Sequence, residues 1–99
     1  MHDSDPNKPK AARAMARIVN KRGLHARASA KFVETVARFK CEVSVTKGEN
    51  TVSGRSIMGL MMLGASMGST IELAAEGPEA DAALAALLAL IGSRFHEDA

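Results

Sequence analysis

The chain switches between two hydrophobic periods, and the switches mark its elements. Ala14-Met15-Ala16-Arg17-Ile18-Val19-Asn20 is β-prone towards its end and predicts a first strand over 14–20. Lys21-Arg22-Gly23 breaks that run. The spacing then becomes helical. Ala26, Ala30, Val33, Val36 and Ala37 share one face, so 26–39 is predicted as a helix that packs through those residues, with Phe32 and Phe39 flanking the stripe. Cys41-Glu42-Val43-Ser44-Val45-Thr46 returns to period two and predicts a half-buried strand. Lys47-Gly48-Glu49-Asn50 is a turn, and Thr51-Val52 closes a hairpin.

Ser56 to Leu63 is predicted as a short helix, with Ser56 as the N-cap whose oxygen accepts an early helix N–H. Ile57, Met58, Leu60, Met61, Met62 and Leu63 make it apolar almost all round. A short helix cannot bury every side, and an exposed, methionine-rich apolar face suits docking of partners. The alternative is that all six residues are core.

Thr70-Ile71-Glu72-Leu73-Ala74 predicts the last strand, and Gly77-Pro78 punctuates the chain. Ala80, Ala83, Leu84, Leu87, Leu88 and Ile91 then form the cleanest helical stripe. Glu79 and Asp81 in its first turn suit the positive helix end. Phe95 is expected at the edge of the core, and His96 on the surface. The domain is thus expected over 14–95, between a disordered N-terminal extension at 1–13, which contains Pro6 and Pro9, and a polar tail at 96–99. The order β-α-β-β-α-β-α points to the α+β class. The economical arrangement is an open-faced sandwich, a four-stranded antiparallel sheet with three helices on one face and water on the other.

Composition narrows the function. A chain of 99 residues has room for one core. It has no Trp or Tyr and three Phe, so Ala, Leu, Val and Met must fill that core. The net charge is only +2, but eleven of the thirteen Lys and Arg lie in residues 1–47 against four acids. That basic half suits an anionic group or an acidic protein partner. It could also serve nucleic acid, but with so little to stack on bases no nucleic-acid partner is expected. Cys41 is the only cysteine, which fits a reducing compartment and a small buried side chain. Met1 to Lys10 has no apolar core for a signal peptide, and no apolar run is long enough to span a bilayer. A cytoplasmic protein without membrane insertion is expected.

The candidate chemistry lies in Gly23-Leu24-His25-Ala26-Arg27. His25 sits where the first helix begins, although Ser, Thr, Asp or Asn would be the usual choice there. The plain alternative is a histidine that happens to start a helix. The functional reading has a mechanism. The positive helix end disfavours imidazolium and keeps the ring nucleophilic, and free N–H groups can hold a phosphate once it is attached. Arg27 can add charge-assisted hydrogen bonds, although alone it would read as a solvated helix charge. No histidine or cysteine cluster has metal-ligand spacing, no glycine-rich nucleotide loop is present, and no acid stands at a telling distance for a hydrolytic triad. Neither metal nor cofactor is expected. These fragments suggest a carrier that holds a group briefly, rather than an independent catalyst.

Gly-Leu-His-Ala-Arg at 23–27 and Arg-Ser-Ile-Met-Gly-Leu-Met at 55–61, at this separation and in this element order, resemble the HPr family. These are the histidine-containing phosphocarriers of the bacterial phosphoenolpyruvate-dependent phosphotransferase system, which serves sugar transport and regulation. The resemblance covers about 14–95. It implies that His25 becomes a phosphohistidine at Nδ1, taking phosphate from phospho-enzyme I and passing it to an enzyme IIA-type acceptor with help from Arg27. It implies regulatory phosphorylation at Ser56 where an HPr kinase/phosphorylase exists. It also implies a docking surface of Arg27, Ile57, Met58 and Met61 on a monomer. The family often has proline after the arginine, where this chain has Ala28. Ala28, the Gly-Leu-Met-Met-Leu run and the N-terminal extension resemble the proteobacterial nitrogen-related branch. The alternative function is therefore a mainly regulatory binding module whose phosphorylation state controls partner proteins rather than sugar uptake.

Overall fold

The structure is a computed structural model and describes residues 11–98. Of the extension expected at 1–13, residues 1–10 lie outside the described residues. The elements follow in the order β1 (Ala11–Arg17), α1 (Ala26–Val36), β2 (Glu42–Lys47), β3 (Asn50–Ser53), α2 (Ile57–Met62), β4 (Thr70–Glu76) and α3 (Ala80–Gly92). A single 3-10 turn, Arg94–His96, follows α3. The four strands form one antiparallel sheet in the order β1-β4-β2-β3. The three helices lie on one face of it, as expected from the sequence.

β4 is a central strand, pairing Leu73 with Ala14 on one side and Val45 on the other. Its alternation sorts Ile71, Leu73 and Ala75 into the core while Thr70 and Glu76 stay exposed. On the open face, Glu72 accepts from Arg13 across the β1 pair, and the Thr46 and Thr51 hydroxyls bond across the hairpin. β1 starts at Ala11 and not at residue 14, so Ala11, Ala12 and Arg13 also belong to the sheet, with Ala11 opposite Glu76. Register with β4 decides this placement. The more β-prone Ile18 lies beyond the ladder, exchanging main-chain bonds with Ser69 and Gly68.

The buried face of α1 also differs from the expected stripe. Ala28, Ser29, Phe32, Thr35 and Val36 are buried, whereas Ala26 and Ala37 are exposed. Phe32 is the largest apolar side chain on the helix, and its burial sets which face turns inward. Two hydroxyls can follow it because each has a backbone acceptor. Ser29 Oγ donates to Leu24 O, and Thr35 Oγ1 to Lys31 O. On α3, Leu88 is exposed and Leu90 is buried in its place. Glu79 caps α3 by position only. Its carboxylate accepts instead from Lys40 N at 2.7 Å, tying the start of α3 to the entry of β2.

One core results, with Phe32, Phe95, Ile18, Leu60, Ile71, Leu73 and Leu87 all fully buried. Phe32→Ala is expected to lower unfolding stability by about 3–5 kcal/mol, the usual cost of truncating a buried phenylalanine. Denaturant titration should register it as a lower midpoint with an unchanged slope.

Candidate functional site

Residues 18–25 carry the chain from the sheet to α1, and two anchors fix their path. The first is a close approach. Gly23 has φ +64°, and a Cβ there would stand 2.4 Å from Ala65 O. That contact leaves glycine as the residue that fits, and it lets Leu24 N donate to Ala65 O. The loop before His25 is thereby docked on the segment that follows α2. The second anchor is Asn20, which is fully buried. Gly23 N donates to Asn20 O, while Asn20 Nδ2 donates back to Gly23 O at 2.8 Å. The turn is closed from both sides.

His25 is the N-cap of α1, with extended backbone angles. Its Nδ1 accepts the Arg27 N–H at 3.3 Å, in the manner of a capping oxygen. Its main-chain oxygen accepts from Ser29 N, so the helix begins normally without a proline at Ala28. The other ring nitrogen, Nε2, lies 2.5 Å from Glu97 Oε2. A neutral imidazole has one N–H. The carboxylate can only accept, so the proton belongs on Nε2, and Nδ1 keeps its lone pair beside the helix N–H groups.

Glu97 is the residue that sequence reasoning missed, together with Asn20. It stands 72 positions from His25, inside the expected polar tail. It arrives there through a turn in which Arg94, Phe95 and His96 all have φ between 55° and 61°. Left-handed backbone costs a non-glycine residue about 1–2 kcal/mol, so three in succession need compensation. Phe95 supplies part of it by being fully buried, deeper than the place at the core's edge expected from the sequence. Lys31 supplies more, donating from α1 to Phe95 O at 2.6 Å. The turn then places Glu97 so that Oε1 accepts from Asn20 Nδ2 at 3.1 Å while Oε2 faces His25. Among the described residues, Asn20 Oδ1 has no partner. The only signal of this arrangement in the sequence is a phenylalanine two residues before a glutamate.

Arg27 and His96 are exposed; Arg27, with Lys21, Arg22 and Lys31, lines a cleft of about 320 Å³ beside Glu97. A shallow depression of about 230 Å³, which shares Arg22 with that cleft, is lined by Arg22, Leu24, His25, Gly64, Ala65 and Ser66. The larger cleft joins four cationic side chains with the acids Glu97 and Asp98. Ser56 caps α2, its Oγ accepting from Gly59 N at 2.9 Å. Leu60 and Leu63 are buried, while Ile57, Met58, Met61, Met62 and Met67 are exposed. That leaves an apolar surface on a helix that packs against α1. Cys41 is buried, and burial pushes its thiol up despite the nearby Arg55 charge. Among the described residues no group of acidic, His or Cys side chains could hold a metal, and no helix is long and apolar enough to cross a membrane.

An open-faced α+β domain that presents a histidine at a helix start, on a shallow surface and not in a deep pocket, has the architecture of a histidine phosphocarrier. The comparisons agree. A family described as the PTS HPr component phosphorylation site matches residues 12–93. Phosphocarrier protein HPr of Neisseria meningitidis is 54% identical over 80 residues, covering 81% of this chain and 90% of its own. Phosphocarrier protein NPr of Shewanella violacea is 45% identical over 80 residues, covering 81% and 88%. The crystal structure of HPr-C-His from Thermoanaerobacter tengcongensis superposes with a TM-score of 0.85 at 42% identity, covering 89% of this chain and 99% of that one. The chain belongs to the HPr family of phosphocarriers of the phosphotransferase system.

Burial alone would raise the Glu97 carboxyl. Hydrogen bonds from His25 and Asn20, with the charges of His25 and Lys31, outweigh that and hold it below the usual glutamate range. A folded-state value below the unfolded one stabilises the fold at pH above the unfolded-state value. That contribution is lost as pH falls through the lowered folded-state value. Wild type is therefore expected to be more stable than Glu97→Gln at neutral pH. The Glu97 part of the difference should shrink as pH falls through that lowered folded-state value, in denaturant titrations taken from neutral pH into acid.

Proposed function

We propose that His25 Nδ1 accepts a phosphoryl group from phospho-enzyme I and passes it to an enzyme IIA-type acceptor. The observation that carries this reading is the division of labour on the ring. Nε2 faces a carboxylate, and Nδ1 holds its lone pair at the start of α1. Attack through Nδ1 puts the new phosphate beside the helix N–H groups, which favour an anion. The macrodipole contributes only about 0.3–1 kcal/mol, so it tunes transfer potential without trapping the group. Arg27, exposed two residues on, adds charge-assisted hydrogen bonds to phosphate oxygens in both transfers.

Docking falls to Arg27 with Ile57, Met58 and Met61, whose exposed apolar side chains suit partners of differing shape. Lys21, Arg22 and Lys31, which line a cleft with Arg27, suit acidic partners. Ser56 is the regulatory phosphorylation site, served by an HPr kinase/phosphorylase. A phosphate there meets the start of α2 without refolding it, and its charge enters the docking patch. The protein acts as a cytoplasmic monomer in this reading. A second reading, a mainly regulatory nitrogen-type module that controls partner proteins, is favoured by the similarity to a relative named NPr.

Incubation with active enzyme I and phosphoenolpyruvate is expected to add one acid-labile phosphate that peptide mapping assigns to His25. His25→Ala should remain folded and accept none. Undiminished phosphorylation of that variant would refute the assignment. Ser56→Asp is expected to slow transfer from enzyme I by weakening docking, by about tenfold for the order of 1.4 kcal/mol that such a repulsion supplies. Equal affinity and equal rate would leave Ser56 as a cap alone.

A further inference from the structure

Asn20, Glu97 and the turn at 94–96 make no hydrogen bond to Nδ1, yet all three converge on the other edge of the His25 ring. Asn20 is fully buried, and two acceptors, Gly23 O and Glu97 Oε1, fix the orientation of its amide. Glu97 in turn uses both oxygens, one for Asn20 Nδ2 and one for His25 Nε2. Both partners present N–H groups, so the position needs two acceptors on one side chain. A carboxylate has them. A glutamine amide has one oxygen, and its NH2 would face one of the two donors.

We propose that Glu97 is a positioning residue for phosphoryl transfer, fixing His25 as the Nε2–H tautomer and facing the charge that develops on the ring when Nδ1 is phosphorylated. The proposal rests on the reading of His25 as the phosphoryl acceptor. The Nδ1 lone pair forms the N–P bond. The bond from phosphorus to the leaving atom of the phosphorylated protein donor breaks, and its electron pair stays with the donor. Nε2 keeps its proton, so the ring becomes formally cationic at the moment of transfer. The positive end of α1 opposes that charge, and the Glu97 carboxylate offsets it from the opposite edge. On transfer to the acceptor the same pair is restored without a proton having moved. A merely structural staple between the turn and the 20–23 loop would leave the transfer rate unmoved when the tautomer changes. A positioning role ties the two together.

The test uses the full chain and its Glu97→Gln variant, each first checked for a native amide spectrum. Ring 15N shifts of His25, recorded where the ring is neutral, report which nitrogen carries the proton and need no phosphoryl donor. Wild type is expected as the Nε2–H form and the variant as a mixture of both. Transfer from phospho-enzyme I should slow by about 10–100-fold, by analogy with the loss of a carboxylate that orients a metal-bound histidine. The result expected is both changes together. An unaltered tautomer, or an altered tautomer with an unaltered rate, overturns the proposal. Wild type that shows the Nε2–H form but takes no phosphate from an active donor refutes the carrier reading, and with it any positioning role in transfer.

Discussion

A helix must find acceptors for its first N–H groups, and α1 finds one in an imidazole nitrogen. Much of the site follows from that substitution of nitrogen for the usual capping oxygen. A ring nitrogen that accepts an N–H cannot carry a proton itself. The cap therefore does two things that a serine would not. It satisfies the helix, and it holds a nucleophilic lone pair at the point where backbone and dipole favour an anion. The surrounding contacts serve this geometry. Gly23 lets the loop approach Ala65, and buried Asn20 closes the turn that leads into the cap.

Most of the fold was legible in the sequence because each element keeps one clear period. The alternation at 41–46 and 70–74, the stripe from Ala80 and the serine before Ile57 predict elements that the structure contains within a few residues. The departures have specific causes. Ser29 and Thr35 look polar to any hydropathy reading, but their hydroxyls bond to nearby carbonyls and so enter the core on either side of Phe32. β1 is built largely from alanine, whose weak β-preference hides a strand that pairing with β4 enforces. Leu88 and Leu90 are equivalent in composition, and only the packing of α3 decides between them.

The site was half legible. His25 and Arg27 stand in a compact motif, and Ser56 stands where a cap belongs. Glu97 could not be found by spacing, since it depends on three left-handed residues whose cost is met by burying Phe95 and by a hydrogen bond from Lys31. No local pattern announces such a turn, because residues without a special preference for that backbone adopt it only when tertiary contacts demand it. Long-range pairing also explains why no triad-like acid was expected beside the histidine. The acid is there, but it is brought by topology.

The 72 positions that separate His25 from Glu97 also set an order in time. On the ribosome the histidine emerges first, and strands, hairpin and helices can begin to assemble around it as they follow. The carboxylate that meets its ring is translated only after β4 and α3. The ring stays unpaired at Nε2 until the turn at 94–96 has docked on Lys31 and carried Glu97 to it. Completion of the ring's surroundings waits on completion of the fold, so this contact separates a closed domain from one still being assembled.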